Sequence, residues 1–114
     1  MMKGGMMYKQ KDIILIHFPY TDFTTSKIRP ALIISNKSIE NSEDVICCLI
    51  TSNLTASGIS LSQTDLESGK LHFDSIVRPH RIFTINRSII KKRIGTINPK
   101  THESILTHIQ SIIS

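Results

Sequence analysis

The residues best suited to chemistry in this chain begin with Arg29, which precedes Pro30 at the head of an apolar run, Ala31-Leu32-Ile33-Ile34, with Lys27 two residues before it. Proline fixes its own φ and biases the residue before it toward the extended region, so Arg29 is expected to project from a rigid strand entrance. A guanidinium held in this way suits a phosphate, because it stays charged and its planar donors match two oxygens at once. A second segment, Val45-Ile46-Cys47-Cys48-Leu49-Ile50-Thr51-Ser52, repeats the plan of an apolar strand that ends in hydroxyl residues. Arg29 and Thr51 are therefore the candidate pair. Thr51 offers one donor and two lone pairs for a phosphate or a sugar hydroxyl.

Neither residue is a natural proton acceptor, since arginine is protonated at any ordinary pH. The chain has five histidines, whose imidazoles titrate in the range a general base needs. His17 stands beside Phe18-Pro19, His72 and His80 flank a predicted strand, and His102 and His108 fall in a predicted terminal helix. His17 and His80 are the alternatives as acid–base groups, although each also fits a surface or core-edge position. No metal is expected, because no His-x-x-x-His pair occurs and the acidic residues are scattered. Cys47 and Cys48 are neighbours in an apolar run, where a strand points them to opposite faces. They read as small core residues in a reducing cytoplasm, not as a disulfide or zinc framework.

Lys and Arg number 14 against 9 Asp and Glu, a net charge of +5 that favours an anionic partner. From position 70 to 100 the chain carries Lys70, Arg78, Arg81, Arg87, Lys91, Lys92, Arg93 and Lys100 against Asp74 alone. Such a run fits a nucleic-acid surface or an ordinary solvated face. No signal peptide is read, since Lys9, Lys11 and Asp12 interrupt the first apolar residues, and no stretch is long enough to span a membrane.

These residues need elements to position them. A chain of 114 residues fits a single domain, here 9–114, with residues 1–8 as a mobile lead-in. Short β-type runs at 12–18, 30–35, 44–51, 58–62, 74–77, 81–85 and 93–96 have the rhythm of a small, mainly β barrel. The period changes only at the end, where Ile105, Leu106, Ile109, Ile112 and Ile113 follow Asn98-Pro99 at the spacing of an amphipathic helix with an N-cap and a proline at its first position. Thr64 and Glu67 have capping-box spacing with Gly69 beyond, which predicts one helical turn between strands. The hydroxyl-rich loop at 20–28 lies directly before Arg29, where it could fold over a ligand.

Asp12-Ile13-Ile14-Leu15, Arg29-Pro30-Ala31-Leu32-Ile33-Ile34-Ser35, Ile50-Thr51-Ser52, Asp74-Ser75-Ile76-Val77-Arg78-Pro79, Arg81-Ile82-Phe83-Thr84-Ile85 and Ile94-Gly95 before a helix follow one another in order. Together they resemble the MazF/PemK family of toxins from type II toxin–antitoxin pairs, over a span from about Lys9 to Ile113. The resemblance implies an SH3-like barrel with a C-terminal helix, a homodimer, and a small, partly acidic antitoxin. It implies cleavage of single-stranded RNA at short sequences without metal or cofactor, in the cytoplasm. Arg29 and Thr51 match the family's catalytic pair, and Ser75 falls on a strand that contributes to the RNA site.

Such cleavage uses the ribose 2′-hydroxyl and leaves a 2′,3′-cyclic phosphate and a 5′-hydroxyl. RNA contacts are expected from Thr25, Ser26, Lys27, Asn53, Arg78 and Arg81, with Tyr20 or Phe23 receiving a base. The chain departs from the family at Lys11, where glycine commonly precedes the aspartate. Two other readings share the barrel: a toxin that binds a protein such as DNA gyrase, with Arg29 structural, and a noncatalytic nucleic-acid-binding module.

Overall fold

The computed structural model describes residues 8–19, 26–39 and 41–114. Of the expected lead-in at 1–8, residues 1–7 lie outside the described residues, as do the candidates Tyr20, Phe23 and Thr25, while Tyr8 is described and packs against the core. Seven antiparallel strands are found among those described: β1 (Asp12–Pro19), β2 (Ser26–Ile33), β3 (Asp44–Thr51), β4 (Ile59–Leu61), β5 (Leu66–Gly69), β6 (Ser75–Asn86) and β7 (Ile90–Ile97). They form one sheet in the order β4-β6-β3-β2-β1-β7-β5, curled into a half-barrel and followed by helix α1 (Pro99–Ile113). The expected mainly β barrel with a terminal helix is what is found.

Both faces of the curled sheet are apolar because successive residues alternate sides. Ile13, Leu32, Cys48, Ile50, Leu61, Val77 and Ile97 pack with Ile105 and Ile109 of α1 on one face. Ile14, Ile16, Ala31, Ile33, Val45, Cys47 and Ile85 form the core of the other. Cys47 and Cys48 thus separate to opposite faces, as adjacent strand residues must. Burial pushes the Cys47 thiol up to about 12, with the neighbouring Cys48 adding to it, and the Cys48 thiol up to about 11. Both are free and protonated, so they act as small apolar packing groups.

The helix begins where expected, with the Asn98 side chain accepting from the Thr101 N–H at 2.7 Å and Pro99 at the first position. Several boundaries differ from the sequence reading: β2 starts at Ser26 and ends at Ile33 where 30–35 was expected, β7 runs from Ile90 to Ile97 where 93–96 was expected, and three further places differ in kind. The helical turn between strands is a 3-10 turn at Gln63–Asp65, capped by Ser62 and Asp65 and not by Thr64 and Glu67. Residues 66–69 then form β5, because they pair with β7. The two runs at 74–77 and 81–85 are one strand, β6; its register with β3 jumps between Leu49↔Arg78 and Cys48↔Ile82, so a bulge absorbs Pro79, His80 and Arg81. Two further irregularities in β1–β7 pairing leave Ile94 and Lys91 out of register. Bulges of this kind increase local twist and curl a sheet.

Asp12 ties the sheet together. Its carboxylate is fully buried and accepts from the Lys9 N–H at 2.9 Å, Thr96 Oγ1 at 3.0 Å and Arg93 at 3.3 Å. A buried carboxylate persists where charged and polar donors satisfy it in this way. Lys11, just before it, has φ 81°, in the left-handed region that disfavours side chains. It is locked there by its N–H donating to Ile33 O and its carbonyl accepting from Ile97 N–H, both at 3.0 Å. The family's glycine would adopt this backbone without strain. Lys11→Gly is expected to raise stability by up to about 1 kcal/mol in urea unfolding, the left-handed penalty exceeding glycine's entropy cost.

The α1 histidine His102 contributes a pH dependence. Burial, with the Lys11 charge nearby, lowers its pKa, and its Nε2 is buried with no hydrogen-bond partner among the described residues. The fold therefore favours the neutral ring. That stability is fully present above the ordinary imidazole value and is lost as pH falls through the lower folded value. The melting temperature is expected to drop between about pH 7.5 and about pH 5.5, and by less in His102→Gln. An equal drop in both proteins would remove His102 as the cause.

Candidate functional site

β2 and β3 pair over only three residues each, Ala31↔Leu49, Leu32↔Cys48 and Ile33↔Cys47. The ladder stops beside Pro30, which has no N–H to contribute; proline fits a strand where one flank is unpaired. Beyond that point each strand keeps its other neighbour. β2 continues along β1 through Leu15↔Pro30, Ile16↔Arg29 and Phe18↔Lys27, while β3 continues along β6 through Ile50↔Val77 and Thr51↔Ile76. Extending the β2–β3 register by two residues sets Arg29 opposite Thr51 across the gap. Arg29 thus lies within β2, and not at its entrance as the proline suggested, because β2 begins at Ser26.

A cavity of about 470 Å³ occupies this gap, and Lys27, Arg29, Thr51 and Ser75 all line it. Ile28, Pro30 and Ile50 supply apolar wall. Leu15 pairs with both Pro30 and Lys92, so a row across β2, β1 and β7 brings Lys92 to the same cavity. Arg29 and Thr51 are half-buried and Lys27 and Lys92 exposed. Thr51 Oγ1 accepts the Asn53 N–H at 3.1 Å, which fixes the hydroxyl's position and leaves its own proton for an incoming oxygen. Ser75 is buried, and its Oγ donates to Phe73 O at 2.8 Å.

Asn53, Arg78, Arg81 and His17 fall outside the cavity wall. Asn53 is exposed, and its side-chain oxygen accepts from the N–H and hydroxyl of Thr55 at 3.1 and 2.7 Å. Arg78 is half-buried with a terminal nitrogen 3.2 Å from His80 Nε2, while Arg81 is exposed in the β6 bulge. His17 is exposed on β1 opposite Ile28. Ser26 opens β2.

The sequence reading missed Lys92 as a wall residue, and with it the loop at 70–74, from which Leu71, His72 and Phe73 line the cavity. Phe73 is 71% exposed, unusual for so large an apolar ring. No pattern local to either segment signals the site; only the position of Lys92 in the basic run from 70 to 100 hinted at it. A separate cavity of about 550 Å³ borders Tyr8, Lys9, Lys37 and Arg87. Arg87 there donates to Tyr8 O at 2.8 Å and Ser42 O at 3.2 Å, and none of the candidate residues reaches it.

The architecture is shared with solved proteins of low sequence similarity. The MazE–MazF complex of Deinococcus radiodurans (form II) superposes with a TM-score of 0.77 at 12% identity, covering 96% of this chain and 97% of that one. An endoribonuclease from a mycobacterial species, solved with its cognate antitoxin, gives 0.68 at 14% identity over 93% and 91% of the two chains. The toxin MazF-mt6 of Mycobacterium tuberculosis gives 0.63 at 20% identity over 86% and 90%. No curated protein sequence matches the chain. Residues 9–113 match the model of the PemK-like, MazF-like toxins of type II toxin–antitoxin systems, and the chain belongs to that family.

Proposed function

We propose that this toxin is an endoribonuclease that cuts single-stranded RNA within the Arg29–Thr51 cavity by transesterification, without a metal ion. The observation that carries this reading is the placement of a half-buried arginine and a positioned threonine hydroxyl across one gap between strands, with Lys27 and Lys92 at the same cavity. That is a site for a phosphodiester. The two lysines draw the backbone in and favour an anionic strand over a neutral ligand.

As the 2′-oxygen adds to phosphorus, charge builds on the nonbridging oxygens, and Arg29 supplies fixed donors to them where charge develops. Thr51 orients the 2′-hydroxyl or an adjacent phosphate oxygen. The P–O5′ bond breaks, leaving a 2′,3′-cyclic phosphate and a 5′-hydroxyl. Phe73 offers an exposed face on which one unstacked base can lie, a mode suited to single strands. Of the contacts expected from the sequence, Lys27 and Ser75 belong to the cavity, whereas Asn53, Arg78 and Arg81 would act on flanking nucleotides.

The same basic opening would accept a carboxylate-bearing antitoxin segment, and the neighbours solved as complexes with antitoxins support such a partner. The protein would act as a homodimer in the cytoplasm. Incubation with a long single-stranded RNA in EDTA is expected to give discrete cuts with 5′-hydroxyl ends. Arg29→Ala should lower kcat by about 100- to 1,000-fold with RNA binding largely kept. Thr51→Val should cost roughly 10- to 100-fold, the effect of losing one hydrogen bond to a charged group. A folded wild-type protein that leaves several RNAs intact would sink this reading and favour a protein-binding toxin or a noncatalytic barrel.

A further inference from the structure

Transesterification needs a group to take the 2′-hydroxyl proton, and neither a protonated guanidinium nor a threonine hydroxyl is suited to that task. Of the five histidines in the chain, His72 alone lines the cavity. His17 lies on β1 outside it, His80 faces Arg78 in the β6 bulge, and His102 and His108 belong to α1.

The loop that carries His72 is held on both sides. Lys70 N–H donates to Ile94 O at 3.0 Å, and Ser75 Oγ donates to Phe73 O at 2.8 Å. Gln63 clamps the same loop, its Nε2 donating to Gly69 O at 3.2 Å and its Oε1 accepting from Leu71 N–H at 2.7 Å. Gly69 sits so close to β7 that a Cβ on it would collide with the Cα of Gly95. Gln63 is fixed in turn by the Ser62–Asp65 capping box, and Asp65 accepts from Thr101 Oγ1 of α1 at 2.8 Å. An exposed imidazole on a loop anchored in this way is presented to the cavity from a defined backbone position.

We propose that His72 is the general base of this site, an assignment that rests on the RNA-cleavage reading above. The neutral imidazole takes the proton of the 2′-hydroxyl as the 2′-oxygen forms its bond to phosphorus. The P–O5′ bond breaks and the departing oxygen takes a proton from solvent water. The hydroxide so formed is neutralised by the imidazolium, which returns His72 to its starting state with no net change in protons.

The test is the pH dependence of kcat and KM on one RNA for wild type, His72→Gln, His17→Gln and His80→Gln, with free imidazole added to His72→Ala. His72→Gln is expected to lower kcat by about 100-fold or more, with KM within about threefold, and to abolish the fall in rate on the acid side of the profile. Imidazole should restore part of the lost rate to His72→Ala, and the other two variants should keep the wild-type profile. Because His72 is exposed, the variants are expected to melt as wild type does. Wild type that cleaves while His72→Gln keeps both rate and acid limb would overturn the role of His72 and leave the ribonuclease intact. A variant changed in KM alone would also overturn it, making His72 a binding group. Wild type that cuts no RNA would remove the ribonuclease reading and the role of His72 together.

Discussion

Proline has no N–H to give to a ladder, and in this molecule Pro30 marks the residue at which β2 and β3 stop pairing. The first half of β2 still follows β1, and the end of β3 still follows β6, so neither strand is released; they are separated while each stays anchored on its far side. This produces a gap inside the curled sheet, flanked by strands that stay paired on their far sides. The next pairs in register would be Pro30 with Ile50 and Arg29 with Thr51. Instead of pairing with each other, these residues line a cavity of about 470 Å³. Such an opening leaves backbone groups without ladder partners, which is tolerable where solvent or a ligand can reach them.

The remainder of the fold acts on this gap from its sides. β1 carries Lys92 of β7 into the same row as Pro30 through Leu15, and with the two irregularities in the β1–β7 pairing, Lys92 and Ile94 of β7 line the cavity. α1 is buried through Ile105 and Ile109, yet it also fixes Asp65 through Thr101. Asp65 sets the 3-10 turn, the turn places Gln63, and Gln63 holds the loop bearing His72 and Phe73. Helix docking and the cavity's far wall are thus linked through a few named hydrogen bonds. Asp12 has a corresponding role at the other end of β1, where one buried carboxylate joins Lys9, Arg93 and Thr96.

How much of this was legible in the sequence follows from how local each signal is. Thr51 sits at the end of an apolar strand pattern, and that end is readable from its own residues. Arg29 is singled out by Pro30, which hides that β2 already begins at Ser26. The terminal helix announces itself through Asn98-Pro99 and the isoleucine spacing. β3 was bounded correctly because nothing interrupts it. β5 was not foreseen: Leu66-Glu67-Ser68-Gly69 has no strand pattern, and its conformation comes from lying against Gly95, where a side chain would meet Leu66 and Ser68. β6 looked like two strands because proline normally ends one, and only the partner β3 shows that a bulge absorbs it. The capping boxes at Ser62/Asp65 and Thr64/Glu67 are equivalent as patterns, and tertiary contact with Thr101 distinguishes them.

The least legible part of the cavity is the side contributed by 70–74 and Lys92, and that is where its character is completed. In the proposed mechanism Arg29 and Thr51 bind and stabilise a phosphate, which alone would describe a binding module as well as an enzyme. In the proposed reading, what separates the two is whether a proton acceptor and a base-stacking surface stand at the same opening, and the loop between β5 and β6 places both His72 and Phe73 there. The binding half was written into apolar strands, whose periodicity any reader can follow. The half to which the proposal assigns turnover sits on a connection held by Gln63, Ile94 and Ser75, none adjacent to Arg29 or Thr51 in the chain. Loops positioned by rigid scaffolds commonly carry function, and here the scaffold is the curled sheet with its gap between β2 and β3.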